Sequence, residues 1–285
     1  MSSRILPEFE LLMPQSVPEA VEILSKYKDQ AAVMAGGTDL LVLMKAGVKV
    51  PYVVGLTEIS GLDYLIYDPA DGLRIGAMAK LAQVVDSDIV KNNYPALWQS
   101  ACVNGTPQTR NKATVVGNVL RASPAGDCCA AVLALGGTVV LQGAAGKREV
   151  DIDNFWTGYR QTARQPFEFA VEFKIPAKVG KSAFKRMTRS DQDLSKLNAA
   201  AGLDMAGNVC QGARLAMGCV APTLVRMKKA EEVIKGKEIT DAVLKEVEEA
   251  VKAEVTPIDD VRSSAWYRKE VSGVLLKRTI EKALA

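Results

Sequence analysis

Histidine is absent from all 285 residues of the chain. That gap excludes Ser-His-Asp and Cys-His catalysis and any histidine-ligated zinc or haem, leaving carboxylates, lysines, thiols, backbone amides or a bound cofactor to do chemistry. Cysteine is sparse: Cys102, Cys128, Cys129, Cys210 and Cys219 show no C-x-x-C spacing and are odd in number. Neither a zinc ribbon, a cysteine-rich iron-sulfur loop nor a disulfide framework is encoded, and the five read as small core hydrophobes. Charge of one sign is also missing. Thirty-six basic against 33 acidic residues leave +3, too little for a nucleic-acid binder. No run reaches the roughly 18–20 apolar residues that span a bilayer, and the polar Met1-Ser2-Ser3-Arg4 start is unlike a secretory signal. Cytoplasmic residence is the resulting expectation.

What is present describes a globular protein. Hydrophobic residues make up 48% and charged residues 24%, enough for a core and too balanced for disorder. Length at about 150 residues per domain suggests two domains.

The first 57 residues alternate helix and strand signals. Ser16-Val17-Pro18-Glu19 is a capping box followed by Ala20, Val21, Leu24 and Tyr27 at helical spacing. Ala31 to Ala35 is an apolar run of strand length, broken by Gly36-Gly37-Thr38-Asp39. Leu40 to Met44 then resumes a helical pattern, and Val53 to Leu56 reads as the returning strand. The pattern is βαβ-like. Leu62 to Tyr67 and Leu73 to Ala77 form a predicted hairpin, followed by helices near 81–90 and 96–103. A loop-rich stretch runs from Asn104 to Asp127, before strands at 138–141 and 169–175. Beyond Gly180, strand-like runs at 182–187, 197–203 and 209–217 precede helices starting at Thr240 and near Ser263. Strands followed by helices imply a separate α+β domain. The expected boundary divides 1–177, itself split near 57/58, from 178–285.

Three stretches could carry chemistry. Gly36-Gly37-Thr38 stands at a strand end and a helix start, where free amides favour an anion such as a diphosphate. Structural punctuation fits the same residues, and Asp39 would repel a phosphate unless its charge caps the helix. Thr114 to Asn118, with Ala122 to Asp127, offers Thr114, Asn118 and Ser123 as hydrogen-bonding groups, Gly117 for close approach and Asp127 as an acceptor. An ordinary polar connection ending in an Asp127 N-cap fits equally. Lys185 lies in a basic strand, Phe184 to Arg189, that also fits a solvated face. G-x-G-x-x-G and G-x-x-x-x-G-K-[ST] are absent.

Taken together and in order, Ala-Gly-Gly-Thr-Asp-Leu, Thr-x-x-Gly-Asn with Ala-Ser-Pro-x-x-Asp, Lys185 to Leu194, and Ser264-Ala265-Trp266-Tyr267-Arg268 resemble the FAD-binding medium subunit of the molybdenum hydroxylases. That family includes xanthine, carbon monoxide and nicotinate dehydrogenases, and the resemblance spans essentially the whole chain. It implies an α+β fold: a two-part vanillyl-alcohol-oxidase-type FAD-binding domain, then a smaller domain with a three-stranded antiparallel sheet and helices. By resemblance, Val33, Met34, Ala35, Gly36, Gly37, Thr38, Asp39 and Leu40 wrap the FAD diphosphate. Thr114, Gly117 and Asn118 form a second FAD loop with Ser123, and Asp127 holds the dinucleotide. Asn104, Val171 and Lys185 lie along the cofactor, and Leu194 sits beside the flavin ring. Val116-Gly117 departs from the family's usual Gly-Gly.

The resemblance further implies an oxidoreductase subunit with non-covalent FAD, since no histidine is available as a tether. Molybdopterin and two [2Fe-2S] clusters would reside in a large and a small partner subunit, in a dimer of heterotrimers. The inserted cysteine cluster of the 4-hydroxybenzoyl-CoA reductase branch has no counterpart here. Two other readings share the loops: a freestanding FAD-dependent reductase or oxidase, and a non-redox nucleotide-binding protein.

Overall fold

A computed structural model describes residues 5–177 and 180–285. The Met1 to Arg4 start, and the boundary residues 178 and 179, lie outside the described residues. The first unit comprises β1 (Glu10–Leu12), α1 (Val17–Tyr27), β2 (Ala31–Met34), α2 (Leu40–Lys45) and β3 (Tyr52–Gly55). Its strands form a parallel sheet ordered β1-β3-β2, so β2-α2-β3 is the predicted crossover. Ser16 Oγ accepts the Glu19 N–H at 3.3 Å, and Glu19 reaches back to the Gln15 N–H at 2.7 Å. This reciprocal cap fixes where α1 begins.

The second unit begins with the hairpin β4 (Leu65–Asp68) and β5 (Gly72–Gly76), then α3 (Leu81–Val85), α4 (Asp88–Asn93) and α5 (Pro95–Val103). The stretch from Asn104 to Asp127 is not the single loop expected. It contains α6 (Pro107–Arg110) and α7 (Val115–Leu120), because Thr106 and Thr114 each accept the N–H three residues on, at 3.2 and 3.0 Å. Threonine caps turn a loop-like composition into two short helices. Next come α8 (Asp127–Leu135), β6 (Thr138–Gly143), β7 (Gly146–Asp151), β8 (Trp156–Gly158), β9 (Gln161–Thr162) and β10 (Phe169–Ile175). A five-stranded antiparallel sheet has the order β4-β5-β10-β6-β7.

The third unit has β11 (Lys181–Met187), β12 (Leu197–Ala206), β13 (Val209–Gly218) and β14 (Val225–Arg226), followed by α9 (Lys228–Ile234), α10 (Asp241–Glu254) and α11 (Ala265–Leu284). The three expected antiparallel strands are extended by β14, only two residues long. Thr240 and Ser264 cap α10 and α11. Among the described residues no helix is long and apolar enough to cross a membrane.

Strand alternation stacks these units in layers. Val140, Phe169 and Val171 face α1 and the first sheet, whereas Val139, Leu141 and Phe173 face the helices of the second unit. Those helices meet the third unit through Phe184, Ala200 and Ala216, and the opposite face of its sheet packs on α9 to α11 through Ala183, Leu197, Leu215 and Met217. Helix α8 therefore lies between two sheets. All nine of its residues are buried, which explains a helix that is apolar almost all round. Alanines 130, 131 and 134 keep it thin enough for that space.

Candidate functional site

The glycine turn after β2 lies directly on the segment that leads into α7. A Cβ on Gly36 would stand 1.7 Å from the Lys112 carbonyl oxygen, so glycine is required for the two backbones to touch. Gly37 then takes φ +69°, a conformation that favours glycine. Leu41 and Leu43 donate to the Gly37 and Asp39 carbonyls at 3.2 and 3.0 Å. Among the described residues, no protein group accepts the N–H of Gly36, Gly37, Thr38, Asp39 or Leu40. Five adjacent N–H donors at a helix start are thereby left without a protein acceptor. Asp39 does not cap α2 as the sequence suggests, since its side chain bonds no helix N–H. Its carboxylate pairs with Arg121 at the end of α7, which turns the negative charge towards a cation and ties the two loops together.

Thr114 is buried and caps α7. A Cβ on Gly117 would lie 2.7 Å from Thr114 Oγ1, so Gly117 makes room for the cap besides leaving an exposed stretch of backbone. Val116, the departure from the Gly-Gly pattern, is 4% exposed and buried in the central core. Its side chain takes no space on the loop's outer side.

The first turn of α8 collects the remaining polar groups. The N-cap is Gly126, not Asp127. Asp127 is the first helical residue, and its carboxylate accepts Ser195 Oγ at 2.6 Å, Asn198 Nδ2 at 2.8 Å and Arg186 Nη1 at 2.9 Å. Burial pushes the Asp127 carboxyl above its ordinary range, opposed by those two neutral donors and by the Arg186 cation. Cys128 Sγ accepts Asn104 Nδ2 at 3.7 Å, and Cys129 Sγ lies 3.5 Å from Asn118 Oδ1. Three consecutive side chains thus reach the third unit, the end of α5 and α7. Cys128, Cys129, Cys210 and Cys219 are buried and Cys102 is half-buried. Burial pushes the Cys128 thiol to about 12 and Cys129 well above its ordinary value, which keeps both unreactive.

The structure brings the expected site residues together unevenly. Val33 and Val171 both belong to the core joining the first unit to the second sheet. A Cβ added at Gly37 would meet Met34 and Leu41 at 3.3 Å, and Ala35 and Leu40 are half-buried within the same turn. Ser123 accepts the Ala125 N–H at 3.3 Å in a local turn. Leu194 is 56% exposed beside buried Ser195. Lys185 shares its strand face with Ala183 and Met187, towards α11, while Phe184 and Arg186 face α5 and α8. The residues not singled out from sequence are Arg121, Arg186, Ser195 and Asn198. Arg186 and Ser195 each stand next to a residue that was chosen, and only strand pairing distinguishes such neighbours.

Comparison with known proteins places these features in a family. Residues 7–178 match the model described as FAD binding domain in molybdopterin dehydrogenase. Residues 182–283 match that of the CO dehydrogenase flavoprotein C-terminal domain. The chain is 29% identical over 277 residues to the glyceraldehyde dehydrogenase medium chain of Sulfolobus acidocaldarius, covering 96% of this chain and 98% of the relative. To the carbon monoxide dehydrogenase medium chain of Hydrogenophaga pseudoflava it is 30% identical over 284 residues, with 99% of each covered. It superposes on a solved carbon monoxide dehydrogenase from Hydrogenophaga pseudoflava, in a form lacking the Mo-pyranopterin moiety, with TM-score 0.94, 30% identity and 98% of each chain covered.

Proposed function

From a chain that belongs to the FAD-binding family of the molybdopterin dehydrogenases, we infer an electron-transfer subunit: it takes electrons from the [2Fe-2S] clusters of a small partner and passes them to an external acceptor. In this reading a large partner carries the molybdopterin centre where substrate is oxidised, the three subunits pair as a dimer of heterotrimers, and the assembly works in the cytoplasm. Bound FAD supplies the redox chemistry, and the chain supplies binding and orientation.

The residues fit that cofactor. The observation that carries the reading is the run of N–H donors from Gly36 to Leu40 without protein acceptors among the described residues, seated on Lys112 through a glycine that admits no side chain. A diphosphate bound there would meet backbone dipoles and a helix start, with Asp39 turned onto Arg121 instead of the phosphates. Thr114 caps α7, whose flanks at Lys112 and Arg121 meet the Gly36 turn, and on it Gly117 is exposed and Asn118 half-buried. The hold on FAD is non-covalent, made of amides, hydroxyls and packing. Near full-length coverage of relatives named as medium chains supports a docked subunit over a freestanding reductase or a non-redox nucleotide binder.

The test is to purify the chain with its partners and record its visible spectrum before and after acid precipitation. A flavin spectrum that moves entirely into the acid supernatant is expected. A complex isolated intact without flavin would overturn the reading, and flavin left on the precipitate would overturn non-covalent binding.

A further inference from the structure

Asp127 is offered three donors, and all come from the third unit: Arg186 on β11, Asn198 on β12 and Ser195 between them. Asp127, Ser195 and Asn198 are buried, and the Arg186 side chain is nearly so. Asp127 is 5%, Ser195 1% and Asn198 0% exposed, and the Arg186 side chain is 9% exposed. A charged pair held this deep is stable only when its remaining hydrogen bonds are satisfied as well, and here Ser195 and Asn198 satisfy Oδ1 together. The neighbouring turn is held by the end of β13, in the same sheet. Pro124 O accepts the Cys219 N–H at 2.9 Å, and a Cβ on Gly218 would lie 2.4 Å from that oxygen.

The same turn of α8 also touches the two cofactor-side asparagines. Cys128 meets Asn104 and Cys129 meets Asn118. Ser195 points inward to Asp127, while its neighbour Leu194 stands 56% exposed. We propose that Asp127 is a positioning residue: with Arg186, Ser195 and Asn198 it latches the third unit onto α8, and through that latch it sets both the Asn104 and Asn118 contacts and the wall that Leu194 presents. The role assigned to Asp127 is played within the protein, beside any hydrogen bond to the dinucleotide, and it rests on the flavin-subunit reading above. Arg186, which faces α8 and is not among the residues expected to contact the cofactor, should then matter to flavin binding as much as Asp127 does.

The test is a double-mutant cycle on the full chain: Asp127→Asn, Arg186→Met and the pair, with FAD titrated into deflavinated protein and the midpoint potential of bound flavin measured. Each single variant is expected to weaken FAD binding on the order of tenfold, with the pair no worse than the weaker single. Both singles should shift the potential in the same direction, and Arg186→Lys should restore part of the loss. Weak binding in Asp127→Asn alone, with Arg186→Met unchanged, would overturn the latch, as would multiplication of the two effects. Should Arg186→Met fail to fold, Ser195→Ala replaces it in the same cycle. A wild-type chain that takes up no FAD would sink the functional reading instead, and non-additive thermal unfolding midpoints would still report the latch.

Discussion

The Gly36 to Leu40 turn and the first turn of α8 are both helix starts, and they are finished in opposite ways. Among the described residues, the first leaves five N–H groups without protein acceptors, and Thr38 and Asp39 are exposed. The second is buried, and its one charge is met by an arginine, a hydroxyl and an amide. The difference teaches where a ligand can be accommodated. Unsatisfied backbone is tolerable at a surface because water or an anion can complete it, whereas a buried carboxylate must be completed by the protein itself. Helix α8 is completed at its other end too, where Arg214 donates to the Leu133 carbonyl at 2.9 and 3.1 Å. A negative side chain at its start and a positive one at its end both oppose the helix dipole.

Breaking the sealed region should have the largest effect. Arg186→Met strands the Asp127 charge in the interior and is expected to destabilise the chain by about 3–5 kcal/mol in denaturant unfolding. Gly36→Ala strikes the open region, driving a methyl into the Lys112 carbonyl. We expect about 1–3 kcal/mol of destabilisation from this overpacking, together with loss of FAD retention on gel filtration. If Gly36→Ala kept its flavin, the contrast between the regions would fail. Thr114→Val removes the α7 cap and should cost about 1 kcal/mol by thermal unfolding, leaving Asp127 and its partners in place.

The smallest effect sharpens the contrast through a third carboxylate. Asp260 feels burial raising its pKa, but Arg268 and the N–H groups of Arg262 and Ser263 outweigh that and hold it at about 2. Its folded value is depressed, so its contribution is complete above the ordinary value of 3.8 and is lost as pH falls from there to about 2. Stability of Asp260→Asn should therefore vary less with pH than wild type across that window. Asp127, which burial pushes the other way, should show no such acid-side gain on replacement.

Much of the chain was legible because its signals are local. The Ser16 cap, the helix starts at Thr240 and near Ser263, the Gly36-Gly37 break and the long apolar strands of the third unit fall where short-range rules put them. Strand β7 was not legible, since Gly146 to Asp151 is an exposed, charged edge without alternation. Helix α9 spans only seven residues, too few for a periodic signal. Helix α7 was hidden by a composition that reads as loop until Thr114 is recognised as its cap.

By itself, then, the sequence determined the cofactor chemistry available to this protein: no imidazole, a glycine turn at a helix start, and an ordered set of polar loops. The tertiary structure alone decided which charges those loops would keep. Asp39 went to Arg121, and Asp127 went to partners 59, 68 and 71 residues away. Arg186 faces α8 and Lys185 does not, because neighbours on a strand point to opposite faces and only the pairing of β11 with β12 fixes which is which.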